Sequence, residues 1–341
     1  MRIAVVGAGA IGAYWGAALY RGGSDVHLIA RNDNLRAIRK SGVRVISPRG
    51  DFLAHPNATD SPAEIGPVDY IFLGLKAHSY PTCGPLIEPL LGPNTAIIAA
   101  QNGIPWWYFH QLPGPYQGHR IEAVDPGGAT SAVLAPERAI GCVVYPATVL
   151  EAPGVVRHLE GTRFSIGEPS GELSGRCKAL SEAMIAGALK CPVETDLRND
   201  IWIKLMGNVA FNPLSALTRA TMVQMCQDLN TRRVVMQLME ETLDIAARLG
   251  STPDISIDKR LRGAEKVGHH KTSMLQDLEA GKELELDAIV SAVVELADLT
   301  GASAPTLRTV HAATDLLART SGVAPSRRGG VLQQQPQAAL R

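Results

Sequence analysis

A doubly wound α/β domain followed by an all-α domain is the fold class that three features of the sequence predict. A strand-like run at the N-terminus leads directly into a glycine-rich turn; apolar strand candidates recur through the first half; and from about residue 173 to about residue 319 the periodicity is helical with strand signals nearly absent. A chain of 341 residues is long enough for roughly two domains. Lys and Arg number 33 against 33 Asp and Glu, so no basic field exists to gather nucleic acid or an anionic membrane. No apolar run approaches the roughly 20 residues of a membrane span. The start shows no apolar leader segment, and the five cysteines are odd in number and lack a CxxC pair. A reducing cytoplasm is therefore the expected compartment, with no metal, nucleic-acid or membrane partner.

The first element is the apolar, β-branched run at residues 3–6, the composition of a strand buried on both faces. It runs into Gly7-Ala8-Gly9-Ala10-Ile11-Gly12 and then into small and apolar residues suited to a helix packed on a sheet. In that context the glycines permit a tight turn, backbone approach to a pyrophosphate and helix–strand contact, while free helix N–H groups face the phosphate. This is a Rossmann-type dinucleotide site, with Gly7, Gly9, Ala10, Ile11 and Gly12 as its loop. A second strand at residues 25–30 ends on Arg31. A carboxylate there would accept from a ribose 2′-OH, whereas the guanidinium fork matches a 2′-phosphate, so NADPH/NADP+ is the expected cofactor.

Further strand candidates at residues 43–46, 69–75 and 95–100 end in polar residues, which sets Lys76 and Asn102 where ligands of such sheets lie. Trp106, Trp107, Tyr108 and Phe109 then form an aromatic cluster, readable as satellite core or as a ligand platform. Strands are expected around residues 141–145, 154–159 and 164–167. A helix over 173–189 and a short strand at 191–193 complete a first domain of residues 1–195. The helical domain takes residues 196–320, and the polar, low-complexity segment 321–341 is expected to be a disordered tail.

The helix beginning near Asp196 carries Lys204, Asn208 and Asn212 at i, i+4 and i+8, one stripe on one face, among apolar neighbours. A lysine and two amides there require either a solvated strip or a polar cavity. Further on, Ser273 reads as a helix N-cap and Glu285 as a solvated helix charge.

Taken together in this order and spacing, Gly7-x-Gly9-x-x-Gly12, Arg31, Leu75-Lys76, Gln101-Asn102-Gly103, Trp202-x-Lys204-Leu205-x-x-Asn208-x-x-x-Asn212-Pro213-Leu214, Ser273-Met274-Leu275-Gln276-Asp277 and Glu285-Leu286-Asp287 resemble the ketopantoate reductase (2-dehydropantoate 2-reductase) family across the chain apart from its tail. The resemblance implies a Rossmann domain followed by a helical domain similar to that of 6-phosphogluconate dehydrogenase. It also implies NADPH-dependent reduction of 2-dehydropantoate to (R)-pantoate on the route to pantothenate and coenzyme A. Lys204 would be the general acid and Glu285 would orient near the hydroxyl and the lysine. Asn208 and Asn212 would hold the substrate's polar groups, and Ser273 its carboxylate. Asn102 would lie between nicotinamide and substrate, while Arg31 and Lys76 would hold the adenosine 2′-phosphate.

Between Gly103 and Cys142 the resemblance is loose, and the aromatic cluster follows directly after Asn102. A reductase of a different 2-oxo acid is therefore the alternative within the class. A non-catalytic NADP(H)-binding sensor is the alternative outside it, although a sensor has no use for the Lys204 stripe. The expected partner is a small 2-oxo acid, and the oligomeric state is left open, a homodimer included.

Overall fold

The computed structural model describes residues 1–324, and the tail residues from 325 onward lie outside that description. The chain divides into two compact units, Met1–Ile201 and a second beginning at Trp202.

The first unit is built on a seven-stranded sheet in the order β11-β8-β7-β6-β1-β2-β5. Its strands are β1 (Arg2–Val6), β2 (Asp25–Ile29), β5 (Asn57–Thr59), β6 (Tyr70–Leu73), β7 (Ala96–Ala99), β8 (Ala139–Val144) and β11 (Phe164–Gly167). Six run parallel and β11 alone is antiparallel, against β8. Strands β1, β6, β7 and β8 are almost wholly buried, as expected for parallel strands covered on both faces. On β1 lies the helix Ala10–Arg21, whose Trp15 stacks on Phe72 of β6 at 4.2 Å between ring centroids.

One strand candidate goes elsewhere. Residues 43–46 form β3 (Val43–Ile46) of a separate four-stranded sheet with β4 (Phe52–Ala54), β9 (Ala147–Ala152) and β10 (Val155–Glu160), in the order β4-β3-β10-β9. The edge of the main sheet beside β2 is taken by β5 instead, a three-residue strand without an apolar run. Val43 and Val45 turn one face of β3 into the core, and Tyr14 of the glycine-loop helix stacks on His158 of β10 at 4.7 Å. Burial of that face against the helix outweighs the continuation of the main sheet. The strand expected at 191–193 is reduced to isolated bridges, Arg163 with Lys190 and Ile166 with Val193.

The aromatic cluster is core of this unit. Trp106, Trp107, Tyr108 and Phe109 are at most 5% exposed, which leaves almost nothing of the rings for a ligand to touch. Trp106 Nε1 donates to the Leu134 carbonyl at 2.8 Å. Arg198 donates to the carbonyls of Tyr108, His110 and Pro169 at 2.9, 2.9 and 2.6 Å.

The second unit is helical, and no strand occurs among its described residues. Helix Leu197–Thr218 carries the chain into it and is followed by Met222–Gln227, Leu229–Arg248, Ile257–Val267, Ser273–Glu279, a π-helical turn Asp287–Ser291 running into Ala292–Thr300, and Pro305–Thr320. The division falls inside the first of these helices rather than before it, because its opening turn belongs to the first unit through Arg198 and through Asp200, which pairs with Arg163 at 2.8 Å. Residues 321–323, expected in the tail, still pack: Val323 is 2% exposed and its carbonyl accepts from the Leu284 N–H.

Replacing Trp107 by Ala is expected to lower unfolding stability by about 3–5 kcal/mol, the cost of deleting a buried aromatic ring. The measurement is the urea midpoint at unchanged m-value, with dinucleotide affinity of the folded protein preserved. A change in substrate ranking at full stability would return the ring to the pocket.

Candidate active site

The glycine loop follows from the close approach of helix to strand. Gly7 adopts φ +98°, and the N–H groups of Gly7 and Ala8 both donate to the Ile29 carbonyl at 3.2 Å, tying the loop to the end of β2. A methyl group on Gly12 would run into the Gly7 carbonyl oxygen and stand 3.1 Å from Val5 Cγ1. Helix Ala10–Arg21 has no side-chain cap and no acid in its first turn, so its leading N–H groups and positive dipole end are offered outward. In front of them is a cleft of about 410 Å³ walled by Gly7, Gly9, Arg31, Asn34, Leu75 and Ser79, among others. Exposed amide donors at a helix start in an open cleft fit a pyrophosphate. Ala10, Ile11 and Gly12 shape the start of the helix rather than the wall.

At the end of β2, Arg31 is exposed and extended at the N-cap position of helix Asn32–Ser41. It occupies the place of a ribose-binding carboxylate, and the nearby Asp33 is engaged by Arg36. Lys76, half-buried, follows the cleft residue Leu75 and opens the 3-10 turn Ala77–Thr82, but is not itself in the wall. Asn102, also half-buried, follows β7 at its carboxyl end and is likewise outside that cleft.

Sequence reasoning missed Asn34. Its Nδ2 donates to the Ala8 carbonyl at 2.7 Å and its Oδ1 accepts from the Gly154 N–H at 2.8 Å, so one amide clamps the glycine loop to the turn between β9 and β10. An asparagine in the first turn of a polar helix gives no local sign of this. Cys83 also lines the cleft, and burial pushes its thiol up to about 11, so it stays protonated and inert near neutrality.

In the second unit Lys204 and Asn208 are half-buried on helix Leu197–Thr218, and Asn212 is 5% exposed. The Asn212 Nδ2 is buried without a hydrogen-bond partner, an arrangement that costs about 1–3 kcal/mol unless a ligand or water completes it. Pro213 adds a missing N–H to the same turn. Ser215 Oγ donates to the Asn212 carbonyl at 2.8 Å and shares a hydrogen bond with Thr272 Oγ1; both hydroxyl residues are buried. That bond links the Asn212 turn to the segment carrying Ser273.

Two sequence readings are corrected here. Thr272, not Ser273, is the N-cap: its Oγ1 accepts from the Leu275 N–H at 3.2 Å, and Ser273 is the first helical residue, exposed. Glu285 is not a helix charge but ends the irregular stretch before Leu286, half-buried, two residues ahead of the π-helical turn Asp287–Ser291. A capping Thr beside a Ser, and an acid one residue short of a helix, are displacements too small for propensity to resolve.

Against this geometry, the family model of ketopantoate reductase PanE/ApbA matches residues 3–171, and the model of its C-terminal part matches residues 196–318. A 2-dehydropantoate 2-reductase of Mesorhizobium japonicum is 47% identical over 94% of this chain and 99% of its own. The crystal structure of a Ralstonia solanacearum protein assigned to the ketopantoate reductases superposes with a TM-score of 0.88 at 35% identity, covering 94% of this chain and 99% of that one. The 2-dehydropantoate 2-reductase of Geobacter metallireducens gives a TM-score of 0.81 at 31% identity, over 93% and 100%.

Replacing Asn34 by Ala removes two hydrogen bonds at the glycine loop. The expected loss is about 1–3 kcal/mol in stability, with weakened dinucleotide binding measured by calorimetry on the folded protein. Unchanged affinity would show that the loop holds its shape without the clamp.

Proposed function

The chain belongs to the ketopantoate reductase family, and from that premise we propose that it reduces 2-dehydropantoate to (R)-pantoate with NADPH, the product serving pantothenate and coenzyme A synthesis. The observation that carries the reading is the stripe of Lys204, Asn208 and Asn212 with its unpartnered, buried amide, a polar arrangement that helix propensity does not explain and a polar substrate completes.

In this reading the loop of Gly7, Gly9, Ala10, Ile11 and Gly12, anchored by the Gly7 N–H on the Ile29 carbonyl, brings the N–H groups of the helix start to the pyrophosphate. Arg31 holds the adenosine 2′-phosphate through its fork of donors, with Lys76 as a second cation. When bound, NADPH supplies a hydride to the carbonyl carbon. Lys204 donates its Nζ proton to the carbonyl oxygen as negative charge develops there, so the ammonium both stabilises the charge and completes the alcohol. Solvent returns the proton to the lysine. Asn208 and Asn212 hold the substrate's hydroxyl and carbonyl groups, and Ser273 contacts its carboxylate. Glu285 orients the lysine and the hydroxyl, and Asn102 keeps nicotinamide and substrate in register. The burial of the aromatic cluster supports the family substrate, because it leaves those rings in the core rather than in a reshaped pocket.

An NADPH-oxidation assay over a panel of 2-oxo acids tests the substrate, with ketopantoate expected to give the highest kcat/KM. Replacing Arg31 by Ala is expected to raise the KM for NADPH about 10-fold or more and leave that for NADH little changed, the signature of one lost charge-assisted contact. Equal losses with both cofactors would make Arg31 structural. Replacing Lys204 by Ala is expected to lower kcat by about 10²- to 10⁴-fold while NADPH still binds, measured by single-turnover kinetics and fluorescence titration. Near-normal kcat would remove Lys204 from the mechanism.

A further inference from the structure

Midway along the 22-residue helix Leu197–Thr218, between Lys204 and Asn208, stands Gly207. Glycine in a helix interior is a poor choice by propensity, and here the reason is spatial. A methyl group at Gly207 would overlap Nη2 and Nε of Arg260 and lie 2.6 Å from its Cζ. The guanidinium of Arg260, half-buried in helix Ile257–Val267, therefore meets the helix edge-on, its Nε–Nη2 side against the place where residue 207 lacks a side chain.

Position 207 is three residues beyond Lys204, and residues at i and i+3 are neighbours on a helix surface. The close approach thus brings a second, permanently charged cation to the flank of the helix beside the lysine. A 2-oxo acid carries its carboxylate one bond from the ketone carbon. An ammonium directed at the ketone oxygen and a guanidinium beside it match those two groups in order, and with the Nε–Nη2 edge against the helix the carboxylate is left to the Nη1–Nη2 end of the fork.

We propose that Arg260 is a substrate-binding residue that takes the carboxylate of the 2-oxo acid, and that Gly207 exists to let it lie there. Ser273 then adds a neutral hydrogen bond to the same group. The proposal rests on the reading of Lys204 given above and adds to it the determinant of selectivity for acids over neutral ketones.

Three variants of the full chain test it: Arg260→Ala, Arg260→Lys and Gly207→Ala. The assay is NADPH oxidation with the 2-oxo acid that the wild type reduces best and with the corresponding neutral amide. Arg260→Ala and Gly207→Ala are expected to raise the KM for the acid about 10-fold or more, the loss of a charge-assisted pair. Arg260→Lys should recover part of the loss, and added guanidinium should restore part of the activity of Arg260→Ala. The KM for NADPH should not change. The amide, poor with the wild type, should lose nothing further in any variant. Alanine is the better helix former, so Gly207→Ala should keep or raise the melting temperature while it displaces the guanidinium, which separates a binding role from a structural one. An unchanged KM for the acid in an active enzyme, or equal losses with acid and amide, would overturn the proposal and leave the reaction assignment standing. A wild type that prefers another 2-oxo acid changes the substrate and leaves the Arg260 test intact, because the carboxylate is common to all. A wild type that reduces no 2-oxo acid overturns both.

Discussion

Polar groups on a buried helix must each find a partner, and that requirement organises the long helix Leu197–Thr218. At its start Arg198, held largely out of water, satisfies three backbone carbonyls at once and so fixes the aromatic segment 107–110 to the body of the first unit. One turn of residues contains both that arginine and Asp200, which answers Arg163. Further along, Ser215 closes on the Asn212 carbonyl and on Thr272. Two buried amide atoms of this helix, Asn199 Oδ1 near its start and Asn212 Nδ2 in the polar stripe, have no hydrogen-bond partner. Protein interiors tolerate few such atoms, and those present at a concentration of other polar groups mark places where something else binds.

The first unit obeys a different constraint, the flush contact between helix Ala10–Arg21 and the central strands. Because Gly12 brings the helix start against the Gly7 carbonyl, the loop between them has no slack: the Gly7 and Ala8 N–H groups are tied to the Ile29 carbonyl of β2, and the N–H groups of the helix start are the ones that face outward. The second sheet then packs on the outer side of this helix through Tyr14 and His158, and His158 is itself fixed by Ser47 Oγ at its Nδ1, 2.8 Å away. Asn34 and Gly154 join that sheet to the loop. What looks like an accessory sheet is therefore part of the support of the cleft at the glycine loop, and Leu150 of β9 contributes directly to its wall.

Much of this was legible in the residues themselves. The glycine loop, the arginine at the end of β2, the lysine–asparagine stripe and the passage from α/β to helical sequence all express local patterns, and local patterns are what periodicity and spacing read. What escaped was non-local. Strand β3 has the composition of a main-sheet strand, yet its partner β10 lies more than 100 residues away and draws it into another sheet. Strand β5, which replaces it, is polar and three residues long and offers no signal at all. Asn34, Arg260 and Thr272 act on distant chain segments and are unremarkable in their own. Trp106 and Trp107 read as ambiguous because an aromatic ring looks the same in sequence whether it is covered by protein or by ligand; only their burial decides.

The edges of the main sheet bear on how the chain behaves at high concentration. One edge is β5, only three residues long; the other is β11, four residues, followed by a segment that makes bridges along it at Lys190 and Val193. A strand from another molecule would find few consecutive open N–H and C=O groups to pair with on either side, because a short edge gives little ladder and a bridged one is already partly occupied. The wholly buried strands β6, β7 and β8 all lie inside the sheet, each flanked by two neighbours. The topology that sets the cleft at the strand ends thus also keeps the stickiest backbone of the molecule out of reach of edge-to-edge aggregation.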